Sequence, residues 1–150
     1  MDKIINALNT MYKIERFATQ IYKTQTRAFS ETVLIDRLIA ASANEQEHVD
    51  DLYERIIALK GKVSKMGNLF QLAGKILGFA TTLMGKNFVL KADIMVEKKA
   101  LTDYTLYLRN FNFDEKTKSV IEKNLEDERL HIIRWQDSLD LLKGKLSIAS

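Results

Sequence analysis

Two stretches decide how this chain is read: Glu45-Gln46-Glu47-His48 and Glu128-Arg129-Leu130-His131. They contain the chain's only two histidines, and each histidine follows a glutamate by three residues. Residues three apart share one side of a helix, so each carboxylate and imidazole can reach the same metal ion. That donor pair is borderline-hard and suits iron, manganese or zinc. The chain has no cysteine, which excludes disulfides, thiolate metal sites and a rubredoxin-type iron centre. A lone Glu-x-x-His on a helix is usually a solvated face. Two of them, using every histidine, reverse that reading.

Each Glu-x-x-His has a glutamate upstream: Glu15 lies 30 residues before Glu45, and Glu97 lies 31 before Glu128. In a helical hairpin that separation is one helix, a short turn and a return. Glu15 and Glu97 sit on or beside apolar stripes, where an unpaired carboxylate is costly and a metal ion relieves the cost. Glu47, Glu126 and Asp127 are expected at the surface, and Trp135, one turn after His131, in the core rather than as an electron relay.

The apolar spacing outlines the elements. Ile4, Ile5, Leu8, Met11, Tyr12, Ile14, Ala18, Ile21 and Tyr22 mark an amphipathic helix over 3–28. Ser30 is the expected N-cap of a second helix that stops at Gly61. A third spans about 88–110. Phe111-Asn112-Phe113 forms a turn, and Asp114 caps a fourth helix that runs to Lys143 and stops at Gly144. No proline interrupts any of them. The halves repeat. Shifted by 82, Ile14, Glu15, Ala18 and Tyr22 fall on Val96, Glu97, Ala100 and Tyr104; shifted by 83, Leu38, Glu45, His48 and Leu52 fall on Ile121, Glu128, His131 and Trp135. Polar and apolar positions match together, which indicates one helix hairpin used twice. The connection over about 60–87 is long enough to cross the bundle. The expected fold is all-α: an antiparallel four-helix bundle of two repeated hairpins, one domain over 1–150, with an extra short helix in the crossover.

The net charge of +3 is unevenly spread. Arg55, Lys60, Lys62, Lys65, Lys75, Lys86 and Lys91 lie between Glu54 and Asp93 with no acid among them, so the rest of the chain is net acidic. Within 69–88, Gln71, Lys75, Gly78, Thr82 and Lys86 make a narrow polar stripe. Leu69, Phe70, Leu72, Ile76, Leu77, Phe79, Leu83 and Met84 make a broad apolar face. This segment suits an interfacial helix on an anionic membrane, or a crossover packed on the bundle or on a second subunit of a homodimer. The lysines are scattered among apolar residues, so nucleic acid is not an expected partner. The N-terminus lacks a signal pattern and no apolar run reaches the ~20 residues of a membrane span. The expected location is the cytoplasm, with peripheral contact at the inner face of the membrane as the further expectation from 69–88.

Glu, Glu-x-x-His, Glu, Glu-x-x-His is the ligand order of ferritin-like di-iron carboxylate proteins, and the chain resembles them over essentially its whole length. Within them its spacing is similar to rubrerythrin-type domains and bacterial demethoxyubiquinone hydroxylases. The resemblance implies two iron ions (manganese or zinc as alternatives), bridged by Glu45 and Glu128. Glu15 and Glu97 would be terminal ligands, and His48 and His131 would complete the two sets. It also implies that Tyr22 and Tyr104, seven residues after Glu15 and Glu97, hydrogen-bond near the ligands; the alternative is two core tyrosines anchored by a hydroxyl. Where those hydroxylases carry His-Ala-Gly-Glu, this chain has Tyr12-Lys13-Ile14-Glu15.

Such a centre reacts with oxygen or peroxide and draws electrons from an external donor. The expected function is therefore a di-iron oxidoreductase: hydroxylation of a quinone, or peroxide reduction. Ferrous-iron oxidation and a non-catalytic metal-binding bundle are the alternatives.

Overall fold

A computed structural model describes residues 2–148, with side chains through Gly144. Five helices account for nearly all of it: α1 (Asp2–Gln25), α2 (Thr32–Ala58), α3 (Gly67–Leu83), α4 (Lys86–Asn110) and α5 (Glu115–Ile148). Helices α1 and α2 form one hairpin, α4 and α5 the other, and α2 meets α5 across the bundle. Contacts between Tyr22 and Glu97 and between Tyr104 and Glu15 show that α1 and α4 run antiparallel. The crossover α3 lies along α1 and runs parallel to it, with Gly67 against Tyr12 and Arg16, Gly74 against Phe17, and Gly78 against Ile21 and Thr24. This is the all-α, two-hairpin, long-crossover architecture expected from the repeat.

The helix ends follow local chemistry that differs in places from expectation. α1 stops at Gln25, and Thr26–Ala28 tighten into a 3-10 turn. Ser30 does not cap α2. The N-cap residue is Glu31, whose side chain makes no capping bond because its carboxylate is occupied by Lys86 at 2.8 Å. That hydrogen bond pulls the Glu31 pKa down to about 2. At the other end of α2, Lys60 takes the left-handed conformation (φ 56°), not Gly61. Gly61 N–H returns to Ile56 O at 2.8 Å and Lys60 N–H to Ile57 O at 2.9 Å, a Schellman closure one residue earlier than expected. A Cβ on Gly61 would lie 2.7 Å from Ile5 Cδ1, so a larger residue there would displace the Ile5 side chain. Asp114 does cap α5, accepting from Thr117 N–H at 3.1 Å. α5 passes through Gly144 to Ile148; one mid-helix glycine costs only about 1 kcal/mol.

The crossover helix turns its apolar face outward, the arrangement expected of an interfacial or subunit-contacting helix rather than of one that buries that face on its own bundle. The residues it buries are Gly67, Gly74, Gly78 and Thr81. Leu69, Leu72, Ile76, Leu77, Phe79, Leu83 and Met84 are all exposed. The packed face borders the polar stripe: Gly78 is buried, Gln71 and Thr82 are half-buried, and Lys75 is exposed. A Cβ on Gly74 would overlap the Phe17 carbonyl, and one on Gly78 would lie 2.9 Å from Ile21 O. The two helix backbones approach so closely that only small residues fit between them.

The interior has three layers. One apolar cluster gathers Leu8, Met11, Leu52, Ile56, Tyr104 and Ile121. A second gathers Ile21, Tyr22, Leu38, Val89, Leu90 and Trp135. Between them lies a buried polar layer.

Candidate metal centre

That layer contains all six residues singled out in the sequence. Glu15, Glu45, His48, Glu97, Glu128 and His131 are each at most 1% exposed. α1 supplies Glu15, α2 Glu45 and His48, α4 Glu97, and α5 Glu128 and His131. His48 Nδ1 lies 3.2 Å from Glu45, 3.5 Å from Glu128 and 3.9 Å from Glu15. His131 Nδ1 lies 3.0 Å from Glu45, 3.2 Å from Glu97 and 3.6 Å from Glu128. The side chains thus form two overlapping groups, Glu15-Glu45-His48-Glu128 and Glu45-Glu97-Glu128-His131. Within each, one ligand atom per residue lies within 4.8 Å of the others. Glu45 and Glu128 belong to both.

The protein does not satisfy this layer by itself. Glu45 Oε1, both Glu128 oxygens and both His131 nitrogens are buried without a hydrogen-bond partner. Burial pushes the Glu97 carboxyl pKa well up, and the neighbouring Glu128 adds to the shift. Burial alone would lower both histidines. The carboxylates packed around them outweigh it, holding His48 far above its ordinary range and His131 at about 12. A layer this rich in carboxylates gathers positive charge. Two divalent cations neutralise four carboxylates and occupy the orphaned lone pairs, so the donor set fits a di-metal centre.

The groups around the six candidate ligands cross between the repeats. Tyr22 donates its hydroxyl to Glu97 Oε1, and Tyr104 donates to Glu15 Oε1. Each tyrosine therefore serves the glutamate of the opposite half, not the one seven residues before it. Trp135 is core, as expected, and its Nε1 also donates to Glu97 at 3.4 Å. Asp127 is only partly at the surface: its side chain is 23% exposed, and it also turns inward to accept from His48 Nε2 at 3.0 Å. Glu47 and Glu126 do face solvent. Asn124, fully buried and donating to the Tyr104 hydroxyl at 3.3 Å, had no signal in the spacing. Asp93, one turn before Glu97, is fully buried with both oxygens unpartnered.

A cavity of about 420 Å³ opens between α1, α3 and α4, lined by Ile14, Phe17, Phe70, Met95, Val96, Lys99, Ala100 and Asp103. Ile14 and Val96 are the chain neighbours of Glu15 and Glu97. A larger cavity of about 880 Å³ among α1, α2 and α3, with Lys23, Arg27 and Lys75 in its lining, includes none of the six residues.

Residues 13–138 match the family model of the ubiquinone biosynthesis protein COQ7. The chain belongs to the COQ7 family. This is a di-iron family, and the buried Glu and His groups are positioned to bind metal ions. COQ7 proteins act in ubiquinone biosynthesis, which places the chain among di-iron oxidoreductases. Comparison with curated proteins finds no match. Among solved structures, the chain is similar to a bacterioferritin-related protein of Bacteroides fragilis, described as a dodecameric thioferritin. The two are 18% identical with a TM-score of 0.79, over 99% of this chain and 92% of that one. At that identity the likeness establishes the ferritin-like fold.

Proposed function

We propose that this member of the COQ7 family hydroxylates the ring of an apolar quinone, using two iron ions held by Glu15, Glu45, His48, Glu97, Glu128 and His131. Glu45 and Glu128, which belong to both groups, would be shared between the ions; Glu15 with His48 would complete one ligand set and Glu97 with His131 the other. When bound, the iron pair supplies oxygen activation and a two-electron reservoir. Tyr22 and Tyr104 hold Glu97 and Glu15 in place from across the bundle. The two apolar clusters exclude water from the layer between them. The reaction converts a ring C–H to C–OH with one atom of O2. The other atom leaves as water, and an external donor provides two electrons and two protons.

The observation that carries this reading is the cleft between α1, α3 and α4. Its wall is built mainly from Ile14, Phe17, Phe70, Met95, Val96 and Ala100, beside two of the six ligand candidates. Peroxide reduction and ferrous oxidation handle small polar reactants that gain nothing from such a wall. A quinone with an isoprenoid tail does. Among the described residues no helix is long and apolar enough to cross a membrane. The exposed apolar face of α3, which contributes Phe70 to the cleft, instead supports peripheral contact with a membrane, on its cytoplasmic side, where such a substrate resides.

The test is single turnover of iron-loaded, chemically reduced protein with oxygen and a demethoxyquinone. The expected result is a product heavier by one oxygen atom, with that atom carrying label from ¹⁸O2. Rapid peroxide consumption without quinone hydroxylation would replace this reading with a peroxidase.

A further inference from the structure

The two halves of the centre are related by the internal repeat, but the groups behind the two histidines are not equivalent. His48 presents Nδ1 to the carboxylates, and its other nitrogen meets Asp127 Oδ2 at 3.0 Å. The repeat places Asn44 where Asp127 would serve His131, 83 residues earlier. Asn44 does not serve it. Its amide reaches toward Asp127 Oδ2 at 3.4 Å, and His131 Nε2 has no hydrogen-bond partner. The outer nitrogen of one imidazole is thus held by a carboxylate, and that of the other by no polar group among the described residues.

We infer that Asp127 is a positioning residue that makes the two metal positions unequal, so that the position built on Glu15, Glu45, His48 and Glu128 binds its ion more tightly and fills first. The inference rests on the metal-binding reading above. A carboxylate accepting the outer N–H fixes which nitrogen faces the ion, fixes the ring's orientation and makes that nitrogen a stronger donor. Loss of such a partner typically costs 10–100-fold in metal affinity. His131 lacks such a partner on its outer nitrogen, and its ring is correspondingly the weaker ligand. The shared carboxylates Glu45 and Glu128 would by themselves make the second ion bind less tightly wherever the first had gone. The effect of Asp127 is therefore read in which position binds first, not in the existence of two steps.

Single-histidine variants separate the positions. Apo His131→Ala and apo His48→Ala are each titrated anaerobically with ferrous iron by calorimetry, alone and combined with Asp127→Asn, with circular dichroism to confirm the helical fold. His131→Ala, which keeps the Asp127-backed position, binds one ion at least ~10-fold more tightly than His48→Ala does. Asp127→Asn lowers affinity by roughly 10–100-fold in the His131→Ala background and leaves the His48→Ala background unchanged. Equal affinity in the two single-histidine variants overturns the inference while leaving the metal centre intact. An equal loss in both backgrounds also overturns it, because a merely structural role for Asp127 would act on both. Absence of iron binding in the wild-type protein overturns the inference and the metal-binding reading together.

Discussion

Asp93 is the residue whose burial has no ready justification in the ligand set. It is fully buried one turn from Glu97, and neither oxygen has a partner. Gln25 on α1 lies against it with Oε1 also unpartnered, and the charge of an ionised Asp93 would push the buried Tyr22 hydroxyl up. A neutral carboxyl would donate to Gln25 Oε1, whereas an ionised one would be stranded. Burial accordingly raises its pKa from an ordinary 3.8 to about 8. Between those values the folded chain retains a proton that the unfolded chain has lost. The stability contributed by the neutral form is complete below pH 4 and is lost as pH rises to about 8. The loss is at most about 1.4 kcal/mol per pH unit. Asp93→Asn keeps a donor and removes the titration. In urea unfolding of apo protein, the stability of wild type relative to Asp93→Asn should fall steadily from pH 4 to 8 and level off above. A pH-independent difference would mean that Asp93 is ionised and paired. Its burial was not legible in the sequence. One aspartate on a helix with an apolar stripe reads as a boundary residue, whereas Glu15 and Glu97 stood out because each has a repeated Glu-x-x-His downstream.

At the level of elements, α3 shows what hydropathy patterning leaves open. Its apolar face is the wider one, and burial of apolar area would put it inside. Gly67, Gly74, Gly78 and Thr81, at spacings of 7, 4 and 3, instead allow the backbones of α3 and α1 to come together. Arg16 to Gln71 and Gln25 to Thr81 fasten the seam. Periodicity revealed that a helix was present and amphipathic, but not which face the bundle would accept, because close approach depends on the shape of α1. Gly74→Ala should cost roughly 1–3 kcal/mol by overpacking against the Phe17 carbonyl, despite alanine's better helix propensity. Thermal unfolding checks this, and an unchanged or raised Tm would show that α3 does not sit on α1 as described. The outward face leads to a separate expectation. Leu72 and Ile76 are 53% and 62% exposed, one turn apart. If that face meets lipid, Leu72→Asp with Ile76→Asp should abolish sedimentation with anionic phosphatidylglycerol vesicles and leave Tm nearly unchanged. A large fall in Tm would instead indicate that these residues are packed, as in an interface between two copies.

For the whole molecule, the arrangement of two apolar clusters around a charged layer ties folding to metal. The clusters lie on either side of Glu15, Glu45, His48, Glu97, Glu128 and His131. In the apo state the layer is held by shared protons, by donation from Tyr22, Tyr104 and Trp135, and by the His48–Asp127 bond. The repeat, the hairpins and these six positions were legible because one hairpin is used twice, with polar and apolar positions matching together. The crossed tyrosine contacts and the Asp127–His48 bond were not, because they join residues from opposite halves, and distance along the chain says nothing about which half a side chain crosses into. Ions that bind only the folded chain stabilise it by mass action, about 2.7 kcal/mol per site at a hundredfold excess over Kd. For a chain of this length that corresponds to a rise of roughly 5–10 °C in Tm per site. Anaerobic thermal scans with ferrous iron, against scans with a chelator, should show it. Glu45→Ala with Glu128→Ala removes the two carboxylates that belong to both groups and should abolish the shift along with stoichiometric iron. If that double variant kept the full iron-dependent rise in Tm, the metal would be stabilising the fold from somewhere other than the buried layer, and the assignment of all six residues would fall with it.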